Sequence, residues 1–263
     1  MDLELNNKTA IVCGSTQGIG LGIAKEFAQN GVNLILIARN EDLLKSTIRS
    51  LYNNNNNKHR YICVDFSEPE KLKKKLGELL DSEKITVDIL INNTGGPGGG
   101  PINLAGAPEF LKAFNMHIVC SHIITQIVSR GMKKNRFGRI INIISTSVKV
   151  PISGLGVSNT IRGGMANWGK TLANELGEYG ITVNNILPGF TETGRLGSLF
   201  EKKSKKENLS LEDVKSKAIQ TIPVGRFGNV KDVAYAVLFL SSARASYING
   251  INLPVDGGRT PSL

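Results

Sequence analysis

Residues 9–27 read TAIVCGSTQGIGLGIAKEF, an apolar run followed by a glycine-rich turn and the beginning of a helix. Gly14 permits the tight turn, Gly18 lets backbone approach a pyrophosphate, and Gly20 allows the helix to pack on the strand. The N–H groups at a helix N-terminus also attract phosphates. Glycine spacing alone is weak evidence, but strand, turn and helix follow one another in the order that a dinucleotide site requires. The stretch therefore predicts a nucleotide-binding strand–helix unit.

Apolar runs rich in Ile and Val recur along the rest of the chain, and helix-compatible segments separate them. Short strands that are apolar on both faces and alternate with helices indicate a parallel sheet covered on both sides. The expected strands lie at 9–13, 32–38, 60–64, 87–91, 139–144, 181–187 and 251–255. No linker divides the chain, so the sequence predicts an α/β fold in which residues 1–263 form a single doubly wound (Rossmann) domain with a seven-stranded parallel sheet.

The composition is ordinary for a soluble globular protein, with 40% hydrophobic and 21% charged residues. No window approaches about 18 uninterrupted apolar residues, and residues 1–8 contain no apolar signal region. We therefore expect a cytoplasmic protein that does not associate with membranes. The cysteines Cys13, Cys63 and Cys120 are unclustered, which favours buried, inert thiols over a disulfide framework or a metal site.

The formal net charge of +10 raises the question of nucleic-acid binding. Much of the excess lies in three short basic runs, at 71–75, 133–136 and 202–206, where aromatic residues that could stack on bases are scarce. Solvated helix faces and loop ends explain these runs, so no nucleic-acid partner is expected. The alternative that stays open is attraction of an anionic ligand, such as a phosphorylated cofactor or an acyl thioester carrier.

Three segments have an unusual composition. The asparagine run at 53–57 is predicted to be a mobile surface loop. The glycine- and proline-rich stretch at 95–106 is either a flexible loop or a place where backbone comes close to cofactor or substrate. Residues 190–222 are charged, with short helices expected at 197–203 and 211–219, and are interpreted as a substrate lid within the domain or as a surface excursion.

Further motifs follow the glycine-rich turn in a fixed order. Asn92, Asn93, Thr94 and Gly95 form an NNTG turn, and a Pro-Gly pair is followed by threonines at alternate positions. With the three-residue gap between the first two glycines, these motifs resemble short-chain dehydrogenases/reductases over nearly the whole chain. The resemblance implies a nicotinamide dinucleotide site, with an aspartate for the adenine amino group and the threonine segment for the nicotinamide carboxamide. The implied cofactor-binding residues are Gly14, Ser15, Thr16, Gly18, Ile19, Gly20, Arg39, Asp65, Phe66, Asn92, Thr94, Gly95, Arg162, Pro188, Gly189, Thr191 and Thr193.

The end of the second strand bears on the choice between NAD(H) and NADP(H). An acidic side chain there would accept hydrogen bonds from the adenosine ribose 2′-hydroxyl and repel a 2′-phosphate. Ala38 stands at that position and Arg39 follows it. Because arginine matches phosphate in geometry and charge, the sequence predicts a preference for NADP(H), with NAD(H) as a second possibility. If Arg39 is only a solvated cation, the preference stays undecided.

In the resembling family an Asn, a Ser, a Tyr and a Lys cooperate in hydride transfer between a carbonyl and an alcohol. Asn115 and Ser145 match the first two positions, but Ser158 and Arg162 stand where the Tyr-x-x-x-Lys pair is expected. A divergent group, similar to 3-oxoacyl-[acyl-carrier-protein] reductases, resembles the chain in this replacement. Residues four apart on a helix share one face, so Ser158 and Arg162 are expected to line the same pocket.

The replacement changes the proton chemistry. A serine hydroxyl is a far weaker acid than a tyrosine phenol, and arginine stays charged and passes no proton along. Losing a positioned general acid typically lowers a rate by about 10²–10⁴-fold. Lys149 is the best ionisable substitute, unless it is only a surface lysine. His117 is expected to point away from the site, and the tyrosines are expected to lie elsewhere.

These observations favour an NADP(H)-preferring oxidoreductase that interconverts a carbonyl and an alcohol on a small-molecule substrate, with an atypical proton donor. The alternative is a nucleotide-binding or regulatory protein that kept the fold and lost turnover. No metal is expected in the site. The family resemblance also implies a homotetramer.

Overall fold

The computed structural model describes residues 2–53 and 57–262, so most of the predicted mobile loop, residues 54–56, lies outside the described part of the chain. Seven strands form one parallel sheet in the order β3-β2-β1-β4-β5-β6-β7. Their bounds are β1 Thr9–Cys13, β2 Asn33–Ala38, β3 Arg60–Cys63, β4 Ile89–Asn92, β5 Gly138–Ile143, β6 Ile181–Pro188 and β7 Asn252–Val255. The predicted single Rossmann domain with a seven-stranded parallel sheet is confirmed.

Helices cover both faces of this sheet. They are α1 Gly18–Gln29, α2 Glu41–Ser50, α3 Pro69–Ser82, α4 Ala107–Phe114, α5 Cys120–Asn135, α6 Gly156–Leu176, α7 Gly194–Glu207, α8 Leu211–Gln220 and α9 Val230–Ser241. Neighbouring residues of β1 point to opposite layers: Val12 packs in the cluster with Phe27 and Val237, whereas Ile11 packs in the cluster with Leu72 and Ile124. The continuous apolar character of the strands follows from this burial on both sides.

A row of asparagines crosses the inner part of the sheet. Asn92, Asn142, Asn185 and Asn252 stand at paired positions on β4, β5, β6 and β7. Each side-chain amide donates to the next side chain, at 2.9, 2.8 and 2.8 Å in that order. The ladder pairs most of these buried amide groups, and only the Asn92 Oδ1 atom at its first position has no partner among the described residues.

The asparagine ladder also sets how closely α6 approaches the sheet. Gly169 faces the ladder, and a Cβ at this position would come within 2.8 Å of both the Asn142 Nδ2 and the Asn185 Oδ1 atoms. A larger residue would therefore push the helix outwards. Because α6 carries Ser158 and Arg162, this contact helps to fix the depth at which these two side chains lie.

The strand order reverses between β1 and β4, because the chain runs outwards in one direction from β1 and in the other from β4. In open parallel sheets, ligands bind at the carboxyl ends of the strands beside such a switch point. The loops after β1, β4, β5 and β6 meet at this edge. The topology therefore places any nucleotide site among those loops.

The segment after β6 forms two helices that pack on each other through a small apolar cluster of Leu196, Phe200, Val214 and Ala218. Helix α7 is longer than the predicted 197–203. Thr193 caps its N-terminus by accepting the Leu196 N–H at 3.3 Å, and Asn208 ends it in a left-handed conformation with φ of 53°. The sequence pattern missed these ends because the first and last turns carry few apolar residues.

Candidate active site

The turn after β1 has the shape of a phosphate cradle. Gly14 and Gly18 have φ values of 59° and 54°, a region that favours glycine. A Cβ on Gly14 would overlap the Asn93 carbonyl oxygen, and a Cβ on Gly20 would lie 2.6 Å from Asn93 Nδ2. The Gln17 side chain leaves the N-terminus of α1 uncapped, so the first helical N–H groups face the turn. These groups form the arrangement to which phosphate binds.

Two neighbouring loops close around this cradle. Asn93 Nδ2 donates to the carbonyl oxygens of Cys13 at 3.1 Å and Gly14 at 3.3 Å. From the other side, Thr193 Cγ2 lies 3.2 Å from the position that a Cβ on Gly18 would take. The loops after β1, β4 and β6 therefore converge on one cleft.

Arg39 and Asp65 lie together at the outer end of the cleft. The Arg39 side chain is 81% exposed, and its Nη1 atom lies 3.9 Å from Asp65 Oδ2. Asp65 Oδ1 also accepts the Ser67 N–H at 2.8 Å, and hydrogen bonds from Ser67 hold the pKa of the Asp65 carboxyl below its usual value. Because the Arg39 side chain is largely exposed, its guanidinium can contact an incoming anion while it lies beside Asp65.

Some residues of the predicted cofactor set turn their side chains inwards. Asn92 belongs to the asparagine ladder, and Phe66 packs in the apolar cluster beneath the sheet edge. Their side chains are therefore not open to a nucleotide. The remaining members line the cradle and the β4 and β6 loops: Ser15, Thr16, Ile19, Thr94, Gly95, Pro188, Gly189 and Thr191.

A second group of side chains lies at the carboxyl end of β5. Ser145 begins a short turn over Thr146–Val148, and its Oγ atom accepts the Ser147 N–H at 3.1 Å. A serine hydroxyl that accepts one hydrogen bond still has its own hydrogen to donate. Lys149 ends the same turn, with its N–H bonded to the Thr146 carbonyl at 2.9 Å.

Ser158 and Arg162 lie one helical turn apart on α6, and both side chains are buried. Arg162 Nη1 donates to the Ile143 carbonyl oxygen at 3.1 Å. Within residues 2–53 and 57–262, neither Asp nor Glu lies at ion-pair distance from this guanidinium. Burial, together with the nearby charge of Arg195, lowers the pKa of Arg162 to about 10. Arg162 is thus a buried cation that stays charged at neutral pH.

Asn115 stands where α4 passes into α5. Residues Asn115–Val119 form a π-helical segment, in which the Cys120 N–H bonds to the Asn115 carbonyl oxygen. Such single-turn π segments occur frequently at functional sites. The Asn115 side chain is exposed, whereas His117, two residues later, is buried.

The sequence model of a family described as Enoyl-(Acyl carrier protein) reductase matches residues 14–260. The 3-oxoacyl-[acyl-carrier-protein] reductase FabG of Chlamydia muridarum is 32% identical, over 98% of this chain and 99% of that protein. The chain belongs to the short-chain dehydrogenase/reductase family. Members of this family are NAD(P)-dependent oxidoreductases, in agreement with the cradle at β1.

Two further short-chain dehydrogenases/reductases are similar over their whole length. The NADPH-dependent reductase BacG of Bacillus subtilis is 28% identical, over 98% of this chain and 100% of that protein. The crystal structure of L-sorbose reductase from Gluconobacter frateurii, complexed with NADPH and L-sorbose, superposes with a TM-score of 0.93 at 28% identity, covering 100% of both chains. The family assignment therefore applies to the entire chain.

His117 corrects one prediction, because it does not point away from this short-chain dehydrogenase/reductase site. Its Nδ1 atom is hydrogen-bonded to the Thr94 hydroxyl in the NNTG turn. Burial, with the charges of Arg162 and Arg195, lowers the pKa of His117 to about 2. The prediction considered only the helical spacing from Asn115, whereas the β4 loop reaches His117 from a neighbouring strand.

Two residues at the short-chain dehydrogenase/reductase cleft were not singled out from the sequence. Asn93 belongs to the NNTG turn, but its hydrogen bonds to the β1 loop depend on strands that lie far apart in the sequence. Arg195 lies two residues after Thr193 and donates across the cleft to the β4 loop. Arg195 could have been identified from the sequence, because it is a cation that lies close to a cofactor motif.

All five tyrosines lie away from the site, as at Tyr61 on β3 and the fully exposed Tyr247. Burial raises the pKa of the Cys13 and Cys120 thiols, the latter to about 12, in agreement with inert cysteines. Among the described residues, no cluster of side chains is suited to a metal ion, and no helix is long and apolar enough to cross a membrane.

The low pKa of His117 predicts how stability depends on pH. Below pH 6.5 an unfolded His117 takes up a proton that the folded protein excludes until about pH 2, so the folded state loses stability as the pH falls. The loss is about 1.4 kcal/mol per pH unit. Between pH 7.5 and 5.0 the wild type should lose about 2 kcal/mol more than His117→Asn in urea unfolding. Equal losses in the two proteins would mean that His117 is protonated when folded.

Proposed function

We propose that this chain is an NADP(H)-preferring oxidoreductase that interconverts a carbonyl and an alcohol on a small molecule, with an atypical proton donor. The observation that carries the proposal is the meeting, at one sheet edge, of the glycine cradle and the buried Arg162 guanidinium. The first fits a dinucleotide phosphate, and the second suits the negative charge that develops on a reduced carbonyl oxygen.

The cradle fits the cofactor because the positions of Cβ atoms at Gly14 and Gly20 are already taken by protein atoms. Ser15 Oγ is buried without a hydrogen-bond partner in the described structure, which makes it a further donor for the phosphates. Asp65 would hold the adenine amino group, and Thr191 and Thr193 the nicotinamide carboxamide. When bound, the cofactor supplies or accepts the hydride.

The NADP(H) preference rests on Arg39. Its exposed guanidinium can pair with a 2′-phosphate, and Ala38 offers no carboxylate to repel one. BacG is named as NADPH-dependent, and L-sorbose reductase was crystallised with NADPH. These relatives support the same choice here.

At the reacting end, Ser145 and Ser158 are proposed to donate hydrogen bonds to the carbonyl oxygen. Ser145 is prepared for this role because the Ser147 N–H occupies one of its lone pairs and leaves its hydrogen available. Arg162 would hold the nicotinamide ribose hydroxyls and supply positive potential to the developing alkoxide. Asn115 would order a water molecule at the start of the π-helical segment.

The alkoxide oxygen must finally receive a proton. We propose that Ser158 and Arg162 replace the Tyr and Lys of the family, so neither is suited to donate that proton: a serine hydroxyl is a weak acid, and Arg162 keeps its charge. Lys149, on the turn that Ser145 begins, is the proposed donor. A water molecule ordered by Asn115 is the alternative route.

We further propose that residues 190–222, which include α7 and α8, act as a lid over the substrate. The protein would work as a cytoplasmic homotetramer. The exposed apolar residues Leu104, Leu111 and Phe114 before and along α4 provide a surface that subunits could cover.

The second candidate function is nucleotide binding without turnover, favoured by the replacement of the family's tyrosine. Titration of protein fluorescence with NADPH and NADH comes first. Wild type should bind NADPH at least about 10-fold more tightly, and Arg39→Ala should remove most of that difference by weakening NADPH alone. Equal binding of both cofactors, unaffected by Arg39→Ala, contradicts the cofactor assignment.

Turnover then separates the two functions. A panel of aldehydes, ketones, sugars and 3-oxoacyl thioesters, followed by NADPH oxidation across a wide pH range, should contain a substrate. NADPH binding without any oxidation across the whole panel would support the non-catalytic function.

A further inference from the structure

Arg195 forms a bridge across the mouth of the cleft. It is the second residue of α7, and its exposed side chain reaches to the loop after β4. Nη1 donates to the Gly96 carbonyl at 3.0 Å and Nη2 to the Pro97 carbonyl at 3.3 Å. A Cβ on Gly96 would lie 2.7 Å from Nη2, so the absence of a side chain there lets the guanidinium lie against the backbone.

Arg195 and Arg162 form a pair of like charges at the site. The nearby charge of Arg195 contributes to the reduced pKa of both Arg162 and His117. Within the described chain, no carboxylate lies at ion-pair distance from either arginine. His117 is neutral at neutral pH and adds no further positive charge to the pair.

A buried cation with this little compensation is costly unless a ligand supplies negative charge. Arg162 is 8% exposed, and among the described residues its guanidinium has a single hydrogen bond, to the Ile143 carbonyl, although it has several N–H donors. His117 Nε2 is also buried without a partner in the described structure. Polar groups left unpaired in this way mark the space between α6, α7 and the β4 loop as a binding site for a polar ligand.

The position of the pair in the sheet points to the substrate as the source of the negative charge. The cofactor's phosphates belong to the β1 cradle and to Arg39 beyond β2. Arg162 is anchored at the end of β5, and β4 separates β5 from β1. Two strand spacings amount to about 10 Å, so the β1 cradle and Arg162 serve different parts of the bound molecules.

We propose that the substrate carries an anionic group, a carboxylate, which Arg195 binds together with Arg162. The proposal rests on the oxidoreductase function above and names the class of substrate that this site would accept. Arg195 would act as a specificity-determining residue, because its planar fork suits two oxygens of one anionic group. Arg162 would then serve both the substrate anion and the developing alkoxide.

The test compares acids with their neutral esters on protein loaded with NADP⁺. The probes are 3-oxobutanoate, benzoylformate and a series of longer 2-oxo and 3-oxo acids, each beside its methyl ester, with affinity measured by isothermal titration calorimetry. Acids should bind wild type at least about 10-fold more tightly than their esters. Arg195→Gln should remove that preference while leaving ester affinity unchanged.

Lys205→Gln is the matched control, because it removes the same charge from the exposed surface of the same helix. It should keep the acid preference. Absence of acid preference across all pairs in wild type overturns the proposal. A loss of NADPH affinity in Arg195→Gln with the acid preference intact also overturns it, by assigning Arg195 to the cofactor's pyrophosphate. Failure of the oxidoreductase function itself would give a different result: either NADPH would not bind, or no probe would oxidise bound NADPH.

Discussion

Replacing Arg162 by methionine is expected to stabilise the cofactor-free protein while lowering kcat/KM by at least about 100-fold. The loss of activity follows from removing the buried positive charge that we propose acts on the reacting oxygen, since a single preorganised oxyanion contact is worth about 10²–10³ in rate. The gain in stability follows because no described residue offers Arg162 an acidic partner, and a buried charge without one opposes folding. Methionine has a similar length and fills the space left by the guanidinium stem.

The free energy of unfolding, measured in urea, should rise by about 1 kcal/mol. The gain is no larger because the Ile143 carbonyl loses its hydrogen bond from Nη1, which offsets part of the benefit. Arg162→Lys is the control variant. It keeps the charge and should keep a larger part of the activity, although it loses the planar fork. A methionine variant that loses several kcal/mol and falls in activity only through unfolding would make Arg162 a structural residue.

Replacing Gly20 by alanine should weaken NADPH binding by at least about 100-fold. The added Cβ would overlap the Gly14 carbonyl oxygen and lie 2.6 Å from Asn93 Nδ2, so the cradle must open. Since Asn93 ties the β1 and β4 loops together, the displaced atoms are those that shape the phosphate site. The strain should also cost about 1–3 kcal/mol of stability.

Gly163→Ala is the matched control in another helix. A Cβ on Gly163 would meet no atom within 4 Å, so this change should leave NADPH affinity unchanged and stabilise α6 by about 1 kcal/mol. Fluorescence titration and urea unfolding measure both effects. If Gly20→Ala unfolds the protein, Gly18→Ala provides a second cradle variant, in which the positive φ of 54° strains the backbone and the Cβ lies 3.2 Å from Thr193 Cγ2. Wild-type NADPH affinity in either cradle variant would contradict the assignment of the phosphate site.

The sheet was predicted well from the sequence because the residue pattern that identifies each strand lies within a short segment. Runs of Ile and Val that are apolar on both faces require burial from both sides. Because helices lie between these runs in the sequence, the strands are expected to form a parallel sheet that the helices cover. Strand bounds differed by one or two residues, as at β4, where 87–91 became Ile89–Asn92. Such ends depend on hydrogen bonds to neighbouring strands, which a single segment does not reveal.

The candidate site was predictable where a motif has its own backbone requirement. Gly14, Gly18 and Gly20 need close approach or positive φ, and the structure places all three in one cradle. Contacts between charged and polar residues of distant segments were harder to predict from the sequence. His117 was placed wrongly because its contact, Thr94, is 23 positions away on another loop.

The sequence by itself determined the fold class, the position of the nucleotide cradle and the family resemblance, because glycine conformation and strand burial are properties of short segments. Only the tertiary structure decided the charge balance of the site. The parallel register aligned four asparagines into a ladder, and Gly169 let α6 settle against it. That packing buries Arg162 without an acid, while α7 brings Arg195 over the cleft, and both placements depend on contacts between segments far apart in the chain.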